Sequence, residues 1–232
     1  MKRIILLLAL YGSLTAAVAQ SLEITQPLSM IENSSVMVQY KNQFGKHNMP
    51  EKTAYAYNNI GNLLLYIENY PLAEKYLRKA MKIGVQIQNA ALLAYIYLNL
   101  GRYFLGLNNI DSAATYLEDA YILRVSMHDK QGRVLVAKRY LGDIKMERRQ
   151  YDEAKDIYME CVTAPETATD VDLRADASEK LSRIFLMKGN LDSALHYAQQ
   201  SLALSKEVDT KMRMKNAYNA LADVYLAQKD YE

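Results

Sequence analysis

The chain of 232 residues is poor in the residues on which several large protein classes depend. Its single cysteine, Cys161, permits no intrachain disulfide, so a disulfide-stabilised scaffold is excluded. Nine glycines and four prolines are too few for the many turns of a β-sandwich or barrel. Tryptophan is absent, and tyrosine supplies 19 of the aromatic residues.

The chain also has no large excess of positive or negative charge. The chain has 28 basic and 26 acidic residues, for a formal net charge of +2. Lys2 and Arg3 lie in a segment that we expect to be removed, which leaves 26 residues of each sign. A neutral surface offers no electrostatic footprint for nucleic acid or an anionic membrane, so we expect neither as a partner of the mature segment.

The N-terminus has the pattern of a secretory signal peptide over residues 1–19. Lys2 and Arg3 form a positive region, residues 4–10 are apolar, and Ala17 and Ala19 frame a small-residue cleavage site. The alternative, an uncleaved anchor, is disfavoured because Gly12 interrupts a stretch already shorter than the ~20 residues of a membrane span. The sequence predicts export, with a periplasmic or cell-envelope location.

Internal repetition dominates the rest of the chain. Five segments join an apolar residue to a small one, and the small residues are 40 or 41 positions apart: Gly61, Gly101, Gly142, Ser182 and Ala222. Apolar residues around each lie at helical spacing, and a turn containing Asn or Asp, suited to a helix N-cap, follows. Each unit is therefore predicted to be a helical hairpin, and the fold to be all-α.

Small residues recur at fixed columns, where two helices must approach closely. Gly61 and Ala73 are predicted to lie between the helices of one hairpin, and Ala80 against the next hairpin. The structural repeat positions are Gly61, Ala73, Ala80, Gly101, Ala113, Ala120, Gly142, Ala154, Cys161 and Ala194. Because one hairpin cannot bury both faces alone, neighbouring hairpins must stack.

The phased columns over residues 54–232 resemble the tetratricopeptide repeat, whose pattern is an aromatic residue, Leu-Gly and Tyr, followed by Ala, an aromatic residue and Ala. The resemblance implies a solenoid of antiparallel hairpins in a right-handed superhelix and a non-catalytic role in protein binding. The period of 40, against about 34 in the standard repeat, indicates extra residues that lengthen either the helices or the loops, and we expect them at the junctions between hairpins. Long repeats of this kind are similar to exported sensory arrays of bacterial regulators.

In that family the first helices of successive hairpins line a concave surface that binds peptides. The resemblance places these residues there: Tyr55, Asn58, Asn62, Tyr95, Asn99, Arg102, Arg139 and Asp143. We expect Asn58, Asn62 and Asn99 to be neighbours, since an Asn amide can bond both the N–H and the C=O of a peptide backbone. The alternative is that these are ordinary solvated positions.

Residue patterns for catalysis or for cofactor binding are missing. His47, His128 and His196 have no Asp, Glu, Cys or His partner at metal-ligand spacing on one helix face. Cys161 occupies a column held elsewhere by alanine, which favours a core position over a nucleophile. We therefore predict no enzyme activity, no cofactor and no metal.

The domain organisation follows from these segments. Residues 20–49 are predicted to form a capping helix or a degenerate half repeat, with residues 29–44 as an amphipathic helix, and residues 50–232 an array of about four and a half repeats. The array stops after its fifth turn, which suggests a longer protein with a membrane anchor beyond Glu232; the alternative is a partner chain that covers the last helix. We expect the sensory or scaffolding part of a membrane-associated signalling regulator; the alternatives are a free periplasmic assembly scaffold and an accessory array of an exported enzyme.

Overall fold

A computed structural model describes residues 49–165 and 171–229. The predicted signal peptide and the predicted capping helix over 29–44 lie outside the described residues. Within the described ranges the secondary structure is entirely helical, which confirms the all-α prediction. The helices are α1 Pro50–Tyr66, α2 Tyr70–Gln86, α3 Ala90–Gly106, α4 Ile110–Ser126, α5 Gln131–Glu147, α6 Tyr151–Thr163, α7 Val171–Met187, α8 Leu191–Glu207 and α9 Lys211–Lys229.

Consecutive helices pair as antiparallel hairpins: α1 with α2, α3 with α4, α5 with α6 and α7 with α8. Helix α9 begins where the first helix of a fifth hairpin is predicted. The helices form two compact units, one up to Leu123 and one from Arg124. Leu77, Leu92 and Leu100 are fully buried in the first unit, and Leu181 and Ile184 in the second.

The connection between hairpins differs from the prediction. Residues 87–89 and 127–130 join successive hairpins with three and four residues, almost the same length as the turns 67–69 and 107–109 within hairpins. Eight of the nine described helices have 17 or more residues, so the extra residues lengthen the helices. The expectation that they lie at the junctions is wrong for these connections. Only the connection between Thr163 and Val171 is longer.

Short turns are possible because one residue ends a helix and the next begins another. In the first turn Glu68 adopts a left-handed φ of 58°, and its N–H donates to the Leu65 carbonyl at 3.1 Å. The Asn69 N–H donates to the Leu64 carbonyl at 2.9 Å, completing a Schellman motif. The Asn69 side chain then caps α2 by accepting from the Leu72 N–H at 3.3 Å, which confirms the predicted N-cap.

The same left-handed conformation recurs in the turns, although only one of the residues that adopt it is a glycine: Glu68, Gln88, Asn108, His128, Arg149, Gly189 and Asp209. Non-glycine residues in this region cost roughly 1–2 kcal/mol each. The same pair of Schellman hydrogen bonds recurs in these turns and offsets part of this cost.

The helices of a hairpin touch at the column of small residues. A Cβ on Gly61 would lie 2.6 Å from Leu77 Cγ, and one on Gly101 would lie 2.4 Å from Leu117 Cγ. Glycine is needed there because the leucine of the second helix occupies the space of a Cβ. In the fourth hairpin Ser182 stands at the glycine position, and its hydroxyl donates to the Ala194 carbonyl at 2.8 Å.

The column that begins with Ala80 has two polar members, and both bond to the first helix of their own hairpin. Cys161 Sγ lies 3.9 Å from the Leu135 carbonyl, and the Ser201 hydroxyl donates to the Ala175 carbonyl at 2.8 Å. Ala80 itself is fully buried. Its packing against the next hairpin stays a prediction.

Candidate functional site

In the first unit, polar residues join the neighbouring first helices α1 and α3. The Asn99 amide donates to Asn58 Oδ1 at 3.0 Å. Arg102 Nη1 donates to Asn99 Oδ1 at 3.1 Å and also to Asn62 Oδ1. We call these four residues the amide cluster. The structure therefore brings together the three asparagines that the sequence placed as neighbours.

Burial separates the cluster into an inner and an outer pair. Asn58 is 3% exposed and Asn99 is 6% exposed, so their amides bond to each other inside the unit. Asn62 and Arg102 are only partly buried and form the outer edge of the cluster. Of the three asparagines, Asn62 is thus the one that the geometry leaves nearest to a ligand.

Two tyrosines extend this surface along the same helices. Tyr55 and Tyr95 are partly buried, and their ring centroids are 6.5 Å apart in an edge-to-face arrangement. Tyr55 precedes Asn58 by one helical turn, so the aromatic pair lies beside the amide cluster on α1 and α3. We call the amide cluster and this pair the first-helix surface. It combines apolar ring edges with hydrogen-bonding amides.

The corresponding surface of the second unit is held by charges. Arg139 Nη1 lies 2.6 Å from Asp143 Oδ2 on α5 and 2.9 Å from Asp176 Oδ2 on α7. Arg213 on α9 lies 2.7 Å from Asp176 Oδ1, and its Nη2 donates to Asp172 Oδ2 at 2.6 Å. This ion network joins the first helices of three successive hairpins.

Two groups at the centre of the network, Arg139 and Asp176, keep their charges near neutral pH. Burial alone would raise the pKa of Asp176, but Arg139 and Arg213 outweigh burial and lower that pKa to about 2. Burial would lower the pKa of Arg139, yet Asp143 and Asp176 raise it well above its ordinary value. The Tyr158 hydroxyl donates to Asp143 at 2.8 Å, and burial raises the pKa of the tyrosine. Such groups suit a structural or binding role better than proton transfer.

Sequence reasoning placed Arg139 and Asp143 on this surface and missed three members of the network, Asp172, Asp176 and Arg213. For Asp176, its repeat column in the sequence could have indicated a place on this surface. It occupies the column that Tyr55 and Tyr95 hold in the first two hairpins. The change from aromatic to acidic at one column marks the change from an aromatic surface to an ionic one.

Other reactive groups lie apart from this surface. Cys161 is buried, and burial raises the pKa of its thiol to about 12, so the residue is a poor nucleophile at neutral pH. His128 and His196 are exposed, and His47 lies outside the described residues. Among the described residues no group of three or more His, Cys, Asp or Glu side chains is placed to hold a metal ion. None of the described helices is long and apolar enough to span a membrane.

Solved structures with this fold resemble the chain. BtubC (BKLC) from P. vanneervenii aligns with a TM-score of 0.68 at 16% identity, over 90% of this chain and 85% of that one. Two Podosopora anserina structures described as kinesin light chain with nearly identical TPR-like repeats align with TM-scores of 0.56 and 0.55. Their identities are 14% and 13%, over 78% and 80% of this chain and 91% and 99% of theirs. At these identities the likeness shows the fold, which is a helical repeat solenoid.

Comparison with curated protein sequences finds no match. Two family models for the tetratricopeptide repeat match the chain, one over residues 52–123 and the other over residues 141–167. Both segments overlap residues 54–232, where the sequence columns show the resemblance, and the described helices in them form hairpins. Through these two segments and the fold that contains them, the chain carries tetratricopeptide repeats.

Proposed function

We propose that this chain is a non-catalytic module that binds a protein or peptide on the first-helix surface of its first unit. Tetratricopeptide repeats are typical of protein–protein interaction modules, which supports the general role. We propose further that the module is exported and serves as the sensory or scaffolding part of a longer, membrane-associated signalling protein.

The observation that carries the binding proposal is the amide cluster beside the aromatic pair. Asn62 is held by Arg102, which also bonds to Asn99, so its side chain is oriented before a ligand arrives. Preorganised groups lose less conformational entropy on binding than mobile ones. The rings of Tyr55 and Tyr95 offer flat contact area next to this amide.

This arrangement favours an extended peptide. One Asn amide can donate to a carbonyl and accept from an N–H of the same backbone without selecting a side chain. The tyrosine rings would then provide the side-chain contacts that choose among peptides. The second unit is less suited, because Arg139, Asp176 and Arg213 already satisfy one another.

A library of random 12-residue peptides displayed on phage provides a direct test. Selected peptides would be synthesised and titrated against the chain, against an Asn62→Ala variant and against a Lys82→Ala control. Lys82 is exposed on the second helix α2, away from the first-helix surface. We expect at least a tenfold loss of affinity for Asn62→Ala and none for the control.

Circular dichroism would show that helicity is retained in both variants. Asn58 is a poorer choice for substitution, because it is buried and its loss would disturb folding. Selected peptides that bind the Asn62→Ala and the Tyr95→Ala variants as tightly as the parent would contradict binding on this surface.

Export is supported by the charged and apolar N-terminal pattern and by the cleavage site around Ala17 and Ala19. Mass spectrometry of the expressed protein, fractionated into cytoplasm and periplasm, tests it. We expect a mature N-terminus at Gln20 in the periplasmic fraction. A chain that keeps Met1 and stays in the cytoplasm would contradict export and the sensory role together, while leaving peptide binding open to its own test.

The link to signalling depends on sequence beyond Glu232. Translation of the DNA that follows its codon is the test. An apolar span followed by a kinase or a helix-turn-helix pattern is the expected result. A stop codon after one completed hairpin and a polar cap would contradict the signalling role.

A further inference from the structure

Two tyrosine rings of the first hairpin hold an ammonium group. Tyr57 on α1 and Tyr76 on α2 have ring centroids 5.7 Å apart. Lys79 Nζ, also on α2, lies 5.6 Å from the centroid of the Tyr57 ring and 5.5 Å from that of the Tyr76 ring. Both distances lie within the range of cation–π attraction, so this pair of rings binds an ammonium of the chain itself.

The second hairpin repeats the pair of rings but not the lysine. Tyr97 on α3 and Tyr116 on α4 stand 40 positions after the two tyrosines of the first hairpin. Their centroids are 5.9 Å apart and their planes meet at 52°, against 47° in the first hairpin. The position equivalent to Lys79 holds Asp119. We call the repeat columns of Tyr97 and Asp119 the facing columns.

The other hairpins show that side chains in the facing columns meet. In the first hairpin this contact is the one between Lys79 and a tyrosine ring. In the third hairpin the columns hold Lys138 and Glu160, which form an ion pair. In the fourth they hold Ser178 and Gln200, whose Oγ and Oε1 lie 3.3 Å apart. Each of these three hairpins therefore satisfies its facing columns from within the chain.

The second hairpin leaves its carboxylate without a cation. Asp119 is exposed, and no basic group of the described residues forms an ion pair with it. Burial raises the pKa of the Tyr97 hydroxyl, and the negative charge of Asp119 raises it further, so the carboxylate acts on this tyrosine. Arg78, whose charge also reaches Tyr116, is held by Glu74 at 2.7 Å. Two rings and a carboxylate, each of which attracts an ammonium, thus stand together without the lysine that the first hairpin has.

We propose that the second hairpin accepts a lysine side chain of another polypeptide between Tyr97, Tyr116 and Asp119. The ammonium would lie against both rings, as that of Lys79 does in the first hairpin. It would pair with the Asp119 carboxylate, as the lysine and the glutamate of the third hairpin pair in the facing columns. Lysine is the expected cation, because the two positively charged residues that the chain itself places in the facing columns are both lysines.

This site is separate from the first-helix surface. Tyr97 contacts Tyr116 on α4, whereas Tyr95, two residues earlier, contacts Tyr55 on α1. Binding of a lysine between α3 and α4 can therefore be tested without any peptide bound to the first-helix surface.

NMR spectra of the full chain with isotope-labelled tyrosine rings test the site. The probe is the peptide acetyl-Gly-Lys-Gly-amide, added in increasing concentration, and Tyr97→Phe and Tyr116→Phe variants identify the signals of the two rings. We expect both signals to shift and the shift to saturate with a dissociation constant in the millimolar range, since one exposed ion pair and two rings are weak attractions. The same peptide with its lysine acetylated, and therefore uncharged, should cause no shift.

A charge reversal at Asp119 locates the ammonium. Asp119→Lys gives the second hairpin the lysine of the first, and this lysine should occupy the rings and weaken binding of the probe about tenfold. Glu118→Lys makes the same change of charge one residue earlier on α4, at an exposed position, and should leave binding within about twofold at physiological salt. Circular dichroism would check that both variants keep their helicity.

The converse change tests the comparison between hairpins. Lys79→Asp gives the first hairpin the composition of the second, so the probe should then also shift the signals of Tyr57 and Tyr76. Lys82→Asp, at an exposed position on α2, is the matched control and should add no shift there. A Lys79→Asp variant that gains no such shift would contradict the proposal.

Three other results would overturn it. A probe that shifts neither Tyr97 nor Tyr116, or that binds the Asp119→Lys variant as tightly as the parent, would show that the rings and the carboxylate hold no ammonium. Tighter binding of acetyl-Gly-Arg-Gly-amide would identify a guanidinium as the ligand. Tighter binding of n-butylamine would identify a free amine in place of the lysine of a polypeptide.

Discussion

The contact between Gly101 and Leu117 makes a prediction that separates packing from helix propensity. In an exposed helix, Gly→Ala stabilises by about 1 kcal/mol, because alanine has the higher propensity. At position 101 the new Cβ would lie 2.4 Å from Leu117 Cγ and 2.6 Å from Cδ2, and Leu117 is fully buried. Overpacking of this kind costs roughly 1–3 kcal/mol, so we expect Gly101→Ala to destabilise by about 1 kcal/mol.

The sign should reverse when Leu117 is shortened. Leu117→Ala alone is expected to cost roughly 2–5 kcal/mol, because it leaves a cavity. In that background Gly101→Ala has no leucine to meet, and we expect it to stabilise by about 1 kcal/mol. The coupling energy is therefore about 2 kcal/mol. The fourth hairpin is a natural precedent, since Ser182 there occurs together with Ala198.

Urea unfolding of the four proteins, followed by circular dichroism, measures the cycle. A matched cycle at Gly61 and Leu77, where a Cβ would lie 2.6 Å from the leucine, should give the same reversal. If Gly101→Ala destabilises equally with and without Leu117, the two changes are additive. The requirement for glycine would then come from the helix backbones and our explanation would be refuted.

Three further predictions concern turns, charge and the thiol. Arg149 has a φ of 60°, so Arg149→Gly should raise the free energy of unfolding by about 1 kcal/mol. Asn108→Gly should raise it by less, because asparagine tolerates the left-handed region better than arginine. An Arg149→Gly variant that is no more stable in urea unfolding than the parent would contradict this. Asp176, with a pKa of about 2 against an ordinary 3.8, should stabilise by about 2 kcal/mol above pH ~4 and lose this as the pH falls toward 2. Asp176→Asn should remove that part of the pH dependence in acid titrations of stability, and an unchanged profile would count against the ion network. Cys161 should resist a thiol reagent at pH 8 until the protein unfolds; fast labelling of folded protein would contradict its burial.

The repeat architecture was predictable from the sequence because it depends on local and periodic properties. Small residues recur every 40 or 41 positions, and apolar residues around them have helical spacing. Asparagine in the turns marked helix starts correctly, as at Asn69 and Asn190, since N-capping depends on one side chain and the next three residues. These signals were sufficient for the fold class and the family.

The lengths of the junctions were not predictable. No glycine marks the helix ends at Glu68, Gln88 or Arg149, although each adopts a left-handed φ. The period of 40 residues indicates that each repeat is longer than the standard one, but it does not indicate whether helices or loops hold the extra residues. The structure shows that the helices hold them, since most helices have 17 residues and the turns have three or four.

The candidate site shows the same division between what the sequence determined and what the fold decided. The repeat columns determined that Asn58, Asn62 and Asn99 lie on neighbouring first helices. Only the packing of α1 against α3 decided that Asn58 and Asn99 bond to each other inside the unit while Asn62 remains at its edge. Repeat spacing fixes the helix on which a residue lies, but the angle and distance between helices decide which polar groups meet and which stay available to a partner.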